Sequence, residues 1–215
     1  MAATRASVER RIEGRCRIVD LDRRDETQVA DYYGIYRGIF TSAEREPEGV
    51  VHARHVKGRY KTRLALDGGE VVGFATINPV PKIGYTSLNF LGVAESHRRH
   101  GIGEALLFDV LDDFRQGRPE IRYLIIEAEE APSRFYQARG IRRIKVPYRV
   151  PHFGDAKALD PLDLLIYAEK IPRFLSRKEL NPIVHHLLTY GYGLDEDDPR
   201  IARCFDWGVF SAPVA

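Results

Sequence analysis

Arg98, Arg99, Gly101 and Gly103 are the residues whose types and spacing point most directly to chemistry. They stand in the run Arg98-Arg99-His100-Gly101-Ile102-Gly103, between an apolar stretch at 88–93 and a segment with helical periodicity. The first turn of any helix carries backbone N–H groups that have no intrahelical acceptor, and the helix dipole places partial positive charge there. Gly101 and Gly103 have no Cβ, so a bulky anion can approach those donors closely, and Arg98 and Arg99 add full charges beside them. The chemistry this pattern suits is the cradling of a pyrophosphate. A tight turn ahead of a helix explains the glycines without any ligand, and that reading stays open on spacing alone.

Two elements have to position such a cradle. Residues 88–93 read as a strand that passes through a charged turn at 94–97. A helix beginning near Glu104 then repeats Ile102, Leu106, Leu107, Val110, Leu111 and Phe114 at the spacing of one buried face. Two familiar cradles do not fit. A dinucleotide fingerprint needs a third glycine where Leu106 stands, and a P-loop needs Gly-Lys-Ser/Thr. The pattern resembles instead the acyl-CoA-binding turn of the GNAT acyltransferase superfamily, Gln/Arg-x-x-Gly-x-Gly/Ala after a strand, with Arg98, Gly101 and Gly103 at its fixed positions.

A second stretch strengthens the resemblance. Leu124-Ile125-Ile126-Glu127-Ala128-Glu129, followed by Phe135-Tyr136-Gln137-Ala138-Arg139-Gly140-Ile141, is similar to the second GNAT motif, a strand joined to a short helix ending in Phe/Leu-Tyr-x-x-x-Gly-Phe. Both motifs occur in order, and the resemblance covers roughly residues 15–170. It implies a GNAT-like α/β (α+β) fold: a mixed, mostly antiparallel twisted sheet flanked by helices, with a splayed central strand pair that takes the pantetheine arm of acyl-CoA. It further implies that the backbone of Leu91, Gly92 and Val93 pairs with the pantetheine and acyl group. Arg98, Arg99, Gly101, Ile102 and Gly103 would hold the pyrophosphate, and Tyr136 would lie near the sulfur and donate a proton to the departing thiolate. The plain alternative for Tyr136 is a ring packed on the sheet.

An amine acceptor is protonated at neutral pH and must lose a proton. Glu129 is the first choice of base, with Glu127, two residues away and on the same face of a persisting strand, and Glu95 behind it. Each also reads as an ordinary surface acid. Arg98 stands where Gln is common, Glu129 and Pro132 replace Asn and Ala before the tyrosine helix, and Ile141 replaces Phe. No serine or cysteine is placed as a nucleophile beside a base in these motifs, so direct transfer is expected without a covalent acyl-enzyme.

The implied function is an acetyl-CoA-dependent N-acetyltransferase acting on a primary amine of a small molecule. The alternatives are a non-catalytic acyl-CoA sensor or assembly module, or a transferase for a protein or aminoglycoside amine. Composition agrees with an ordinary globular chain: 215 residues, 44% hydrophobic and 30% charged. A net charge of +2 provides no general basic field for nucleic acid. Cys16 and Cys204, at opposite ends of the chain, suggest neither a disulfide framework nor a cysteine metal site. Without a signal-like or membrane-length apolar run, a cytoplasmic protein with no membrane partner is expected. His52 and His55 with Glu48 make only a weak zinc pattern, so no metal is expected.

Elsewhere the pattern predicts a tail at 1–14, frayed or briefly helical, a strand at 15–21, a helix at 25–40 and a second helix with Pro47 in its first turn that runs to about Val56. A hairpin is expected at 60–77 and a double-faced buried strand at 123–128. Further strands are expected at 141–150 and 162–169, around a loop containing Pro and Gly. Tyr32, Tyr33 and Tyr36 read as core or rim residues. The domain boundaries are then a tail at 1–14, the acyltransferase domain at 15–170 and a C-terminal helical extension at 171–215. That extension opens with capping-box spacing at Ser176 and Glu179, although Pro182 permits a later start. Its apolar residues, Trp207 and Phe210 among them, imply docking that covers the acceptor pocket, completes a homodimer or shields the sheet. The sequence leaves those three open. His185 and His186 read as structural, and the acidic cluster 195–198 as a solvated run.

Overall fold

The structure is a computed structural model that describes residues 10–12, 16–153, 155–206 and 211–215; the side chains of 10–12 and 155–157 lie outside the description. The chain forms a mixed α/β fold, with mostly antiparallel sheet flanked by helices. It divides into two compact units. The first takes the described residues of Met1–Thr41, Glu48–Asn78 and Leu88–Gln116, and the second takes Ser42–Pro47, Pro79–Ser87 and those of Gly117–Ala215.

The strands β1 (Arg10–Ile12), β2 (Cys16–Asp20), β3 (Lys61–Asp67), β4 (Glu70–Val80) and β5 (Tyr85–Val93) are neighbours in that order; they belong to the first unit except for residues 79–80 of β4 and 85–87 of β5, which belong to the second. β1 occupies part of the expected frayed or helical tail, because residues 10–12 pair antiparallel with β2; the remainder of 1–14 lies outside the described residues. Helices α1 (Glu26–Ile39) and α2 (Glu48–Val56) follow the predicted periodicity. Asp25 caps α1, its Oδ1 accepting from Gln28 N–H at 3.0 Å. Tyr32 and Tyr36 are fully buried with Phe74, Phe90 and Leu64, so the tyrosine stripe is core, as its spacing indicates.

α2 separates its histidines. His52 is exposed and His55 is buried, so they do not share a face. His55 Nδ1 faces the Val51 carbonyl at 3.0 Å and must carry the proton; Nε2 then accepts from the Thr62 hydroxyl at 2.8 Å, and Thr62 lies 2.7 Å from Thr76. No group of metal-ligating side chains occurs among the described residues. Burial holds His55 at a pKa of about 4, against an ordinary 6.5. The unfolded chain takes up this proton near pH 6.5, whereas the folded chain does so only near 4. The contribution of neutral His55 is therefore complete above 6.5 and lost as the pH falls between those values. In urea titrations the unfolding free energy of the parent relative to that of His55→Gln should fall by a difference on the order of 3 kcal/mol over that window, the contributions of groups common to both chains cancelling.

α3 (Ile102–Arg115) opens two residues earlier than the sequence indicates. Its buried face is Ile102, Leu106, Leu107, Val110 and Leu111, with Asp109 also buried. Asp109 is paired with Arg63 Nε of β3 at 3.1 Å, and Arg63 also reaches Asp113 at 3.5 Å. These ion pairs fix the helix against the sheet at its middle. Its start is set by close approach: a Cβ on Gly73 would lie 2.9 Å from the Gly92 carbonyl oxygen and 3.3 Å from both Ile102 Cγ2 and Leu106 Cδ1. Gly73→Ala should therefore cost about 1–3 kcal/mol by overpacking, read as a lowered thermal midpoint.

The second unit holds β6 (Tyr123–Ala128), α4 (Glu130–Gln137), β7 (Arg142–Ile144), β8 (Arg149–His152), β9 (Asp155–Pro161) and β10 (Asp163–Tyr167). β10 lies between β6 and β7, antiparallel to both, and β8 pairs with β9 as a separate ribbon. The single strand expected at 141–150 is thus two, parted around Pro147, whose nitrogen cannot donate to a ladder. In the extension, β11 (Phe174–Ser176) leads into α5 (Arg177–His186). Ser176 N–H donates to Glu179 Oε2 at 3.1 Å, so the helix starts at the capping box and Pro182 lies within it. A π turn (Leu187–Gly191), α6 (Ile201–Cys204) and β12 (Ser211–Pro213) complete the chain.

The extension is docked and is not helical throughout. β12 pairs with β11, Val214 bridges Ile144, and Leu180, Ile183, Val184 and Leu188 share a core with Ile125, Leu164 and Ile166. Trp207 and Phe210 lie outside the described residues.

Candidate active site

In the first unit, β5 ends at Val93 and a 3-10 turn at Glu95–His97 carries the chain to the arginines. The Ala94 N–H donates to the Val72 carbonyl at 2.9 Å, which ties the turn to β4. Arg98 Nε donates to the Val93 carbonyl at 3.3 Å, so this guanidinium is folded back on the strand end while remaining exposed. Arg99 sits at φ +67, and Gly101 at φ +76. A left-handed arginine stores backbone strain of order 1–3 kcal/mol, which persists only where the surroundings over-determine it. Its spacing carries no signal of that strain, and sequence reading missed it.

Gly101 is the N-cap of α3 and has no side chain to occupy the helix's opening donors. The first intrahelical bond is that of Ala105 N–H to the Gly101 carbonyl, at 3.0 Å. The N–H groups of Ile102 and Gly103 therefore precede any intrahelical acceptor. A Cβ built on Gly101 meets nothing within 4 Å, and one on Gly103 would touch Val93 Cγ2 at 3.5 Å and Leu91 Cδ2 at 3.8 Å. Open space, uncapped donors and two exposed arginines are what a diphosphate requires. Ile102 is buried and so offers its backbone alone. Gly92 is also buried, and a Cβ there would lie 2.6 Å from Ile39 Cδ1, so its missing side chain answers a packing demand. Glu95 is exposed on the 3-10 turn.

In the second unit, α4 presents Tyr136, 7% exposed, with its ring edge-on to Phe135. The Tyr136 hydroxyl makes no hydrogen bond to another side chain among the described residues, and burial pushes its pKa up, so it stays protonated. The helix is held by a partly buried network that sequence reading did not find. Ser133 Oγ donates to Asp163 Oδ2 at 2.6 Å, Gln137 Nε2 donates to Ser133 Oγ at 2.9 Å, and Arg143 pairs with Asp163 at 2.7 Å. Gly140, at φ +85, then turns the chain out of the helix.

The two carboxylates of this motif differ in setting. Glu129 is exposed at the position before α4, its pKa raised first by burial and then by the negative Glu44 and Asp160. Glu127, on β6, accepts from the Tyr148 hydroxyl at 2.5 Å and from the Tyr192 hydroxyl at 3.4 Å. Burial is the main cause that lifts its pKa to about 7, with Glu46 adding to it and the two tyrosines opposing. A carboxylate titrating there is half in its basic form at neutral pH, the range in which a general base works best. No spacing rule links Tyr148 or Tyr192 to Glu127, and only the folded chain joins them.

A strand ending in a glycine-opened, uncapped helix, with a buried phenol on a short helix after a second strand, defines an acyl-CoA-handling transferase. The family model described as Acetyltransferase (GNAT) family matches residues 26–141, more than half of the chain. The chain belongs to the GNAT acetyltransferase family and is an acyltransferase that uses acetyl-CoA.

Solved structures agree in fold. A protein from Bacteroides thetaiotaomicron assigned to the GNAT family superimposes with a TM-score of 0.68 at 19% identity, over 83% of this chain and 99% of its own. The ribosomal-protein-S18-alanine N-acetyltransferase of Escherichia coli gives 0.55 at 18%, over 73% and 96%. Arabidopsis thaliana NAA60, solved in complex with acetyl-CoA, gives 0.58 at 18%, over 72% and 98%. No curated protein matches the chain. No helix among the described residues is long and apolar enough to cross a membrane.

Proposed function

We propose that the protein transfers acetyl directly to a primary amine of a small molecule. The observation that carries the donor half is the uncapped opening of α3 at Gly101, in front of which a side chain would meet nothing. Bound acetyl-CoA supplies an activated thioester. The N–H groups of Ile102 and Gly103, with Arg98 and Arg99, hold its diphosphate, and the backbone from Leu91 to Val93 aligns its arm. Tyr136 donates a proton to the leaving sulfur.

Glu127 takes the amine proton in this reading. It ranks ahead of Glu129 and Glu95 because it is half-buried, held by two tyrosine hydroxyls and titrates near neutrality, whereas both of those are exposed. Its enclosure by Tyr148 and Tyr192 suits a compact amine better than a folded polypeptide. Transfer belongs to residues 15–170, with 171–215 as an extension docked on them.

A protein amine is the second reading, prompted by the Escherichia coli neighbour named for acetylating an alanine of a ribosomal protein. The test is a library of small primary amines and short peptides with free N-termini, incubated with acetyl-CoA while free thiol and acceptor mass are followed. Thiol release that depends on a small amine supports the proposal, and turnover restricted to peptides selects the second reading. Acetyl-CoA binding without acceptor-dependent release would make the protein a sensor.

A further inference from the structure

The C-terminal extension, itself part of the second unit, reaches a carboxylate of the second motif through Tyr192. Tyr192, just beyond the π turn, reaches the same Glu127 oxygen that Tyr148 holds from the start of the β8–β9 ribbon. We propose that Tyr148 and Tyr192 are positioning residues for the acceptor-deprotonating carboxylate, aiming Glu127 Oε1 and favouring its ionised form, so that Tyr192, from beyond the transferase domain, joins Tyr148 within it in setting the enzyme's working pH. This inference rests on the reading of Glu127 as the base.

Two opposite effects act on Glu127. Enclosure in protein disfavours its charged form, as does the neighbouring Glu46 of the 42–47 segment. Two hydroxyls that donate to a carboxylate favour the charged form, because an ionised oxygen accepts more strongly than a neutral one. The other titratable groups that feel Glu127 are Tyr85 at the start of β5 and Cys204 on α6. Burial together with this negative charge keeps both protonated, so neither competes for the proton near neutrality. Tyr148 and Tyr192 are likewise held protonated and act only as donors. They anchor Glu127 from two separate stretches of chain. Phe153 stacks on Tyr192 with ring centroids 5.2 Å apart, and Phe153 N–H donates to the Ala43 carbonyl at 2.9 Å, which steadies the ribbon and the tail residue together.

The two bonds differ in length, and their effects should be graded accordingly. Losing a hydrogen bond to a charged group weakens the ionised form by enough to move a pKa by about one unit for a short bond and about half a unit for a long one. The low-pH limb of the kcat/KM profile should therefore move upward by about one pH unit in Tyr148→Phe and by about half a unit in Tyr192→Phe. At pH 7 that means about five-fold and about two-fold lower activity respectively, with recovery as the pH rises. The acceptor's own ionisation is common to all profiles, so a displacement between them belongs to the enzyme.

The experiment measures these profiles for the full chain, for both variants and for Glu127→Gln, using one amine acceptor, with circular dichroism to confirm folding. Upward shifts in the stated order support the proposal. Unmoved limbs in the tyrosine variants, with Glu127→Gln inactive, overturn it while leaving Glu127 as the base. An active Glu127→Gln with the parent profile removes the base reading and the inference with it. If Tyr148→Phe does not fold, Tyr192→Phe decides alone: a shifted limb supports the proposal and an unshifted one overturns it.

Discussion

Tyr136→Phe is expected to lower kcat by about 10²- to 10⁴-fold while the KM for acetyl-CoA stays within a few-fold of the parent value. The thiolate that leaves when an amine attacks a thioester needs a proton, and a positioned acid contributes about that factor. Tyr136 has the required properties: it is protonated at any working pH because burial raises its pKa, and its hydroxyl has no side-chain partner among the described residues to divert it. The replacement removes one oxygen and leaves the ring on α4, which Ser133, Asp163 and Gln137 hold in place, so the fold should not be affected. Steady-state kinetics with acetyl-CoA titrated against a saturating amine would decide. A kcat within ten-fold of the parent would mean that another group, or water, protonates the sulfur.

Gly101→Asp is expected to weaken acetyl-CoA binding by about 10²-fold or more while leaving the protein folded. Aspartate tolerates a left-handed backbone better than most residues, at a strain of about 1–2 kcal/mol, and its Cβ meets nothing within 4 Å at this position, so no clash adds to that cost. The carboxylate would stand at the mouth of the α3 opening and oppose a diphosphate at close range. Two like charges at about 4 Å repel by about 4 kcal/mol in a partly screened setting. Helix stability should not suffer, because a negative side chain near a helix N-terminus is favourable there. Calorimetric titration with coenzyme A, alongside thermal melting, separates the two quantities. Unchanged affinity with an unchanged melting point would show that the diphosphate does not sit at this helix opening.

The local patterns were legible in the chain because each is written within a few residues. The apolar period of α1 and α3, the capping box at Ser176 and the glycine pair at the opening of α3 all rest on short-range spacing, and the structure keeps each of them, with α3 opening two residues earlier than the spacing indicates. The same holds for the two motifs of the acetyltransferase family, which are continuous runs whose order survives translation into strands and helices. Boundaries failed where one residue overrode a run of apolar neighbours, as at Pro147, and where three residues at 10–12 gained a strand partner that their own sequence does not announce.

What only the tertiary structure decided is the environment of each polar group. Nothing in the spacing of Glu127 and Glu129 says that one is enclosed and the other exposed. That difference comes from Tyr148 and Tyr192, 21 and 65 residues further along the chain. Likewise, the histidines of α2 part company because His55 meets Thr62 on a neighbouring strand, and Arg63 finds Asp109 only when β3 and α3 pack together. A proton affinity is set by burial and by charges a few ångströms away, and those neighbours are assembled from distant parts of the chain. The chain on its own therefore carries the two acetyltransferase motifs, and folding set the surroundings, and with them the proton affinity, of each carboxylate beside them.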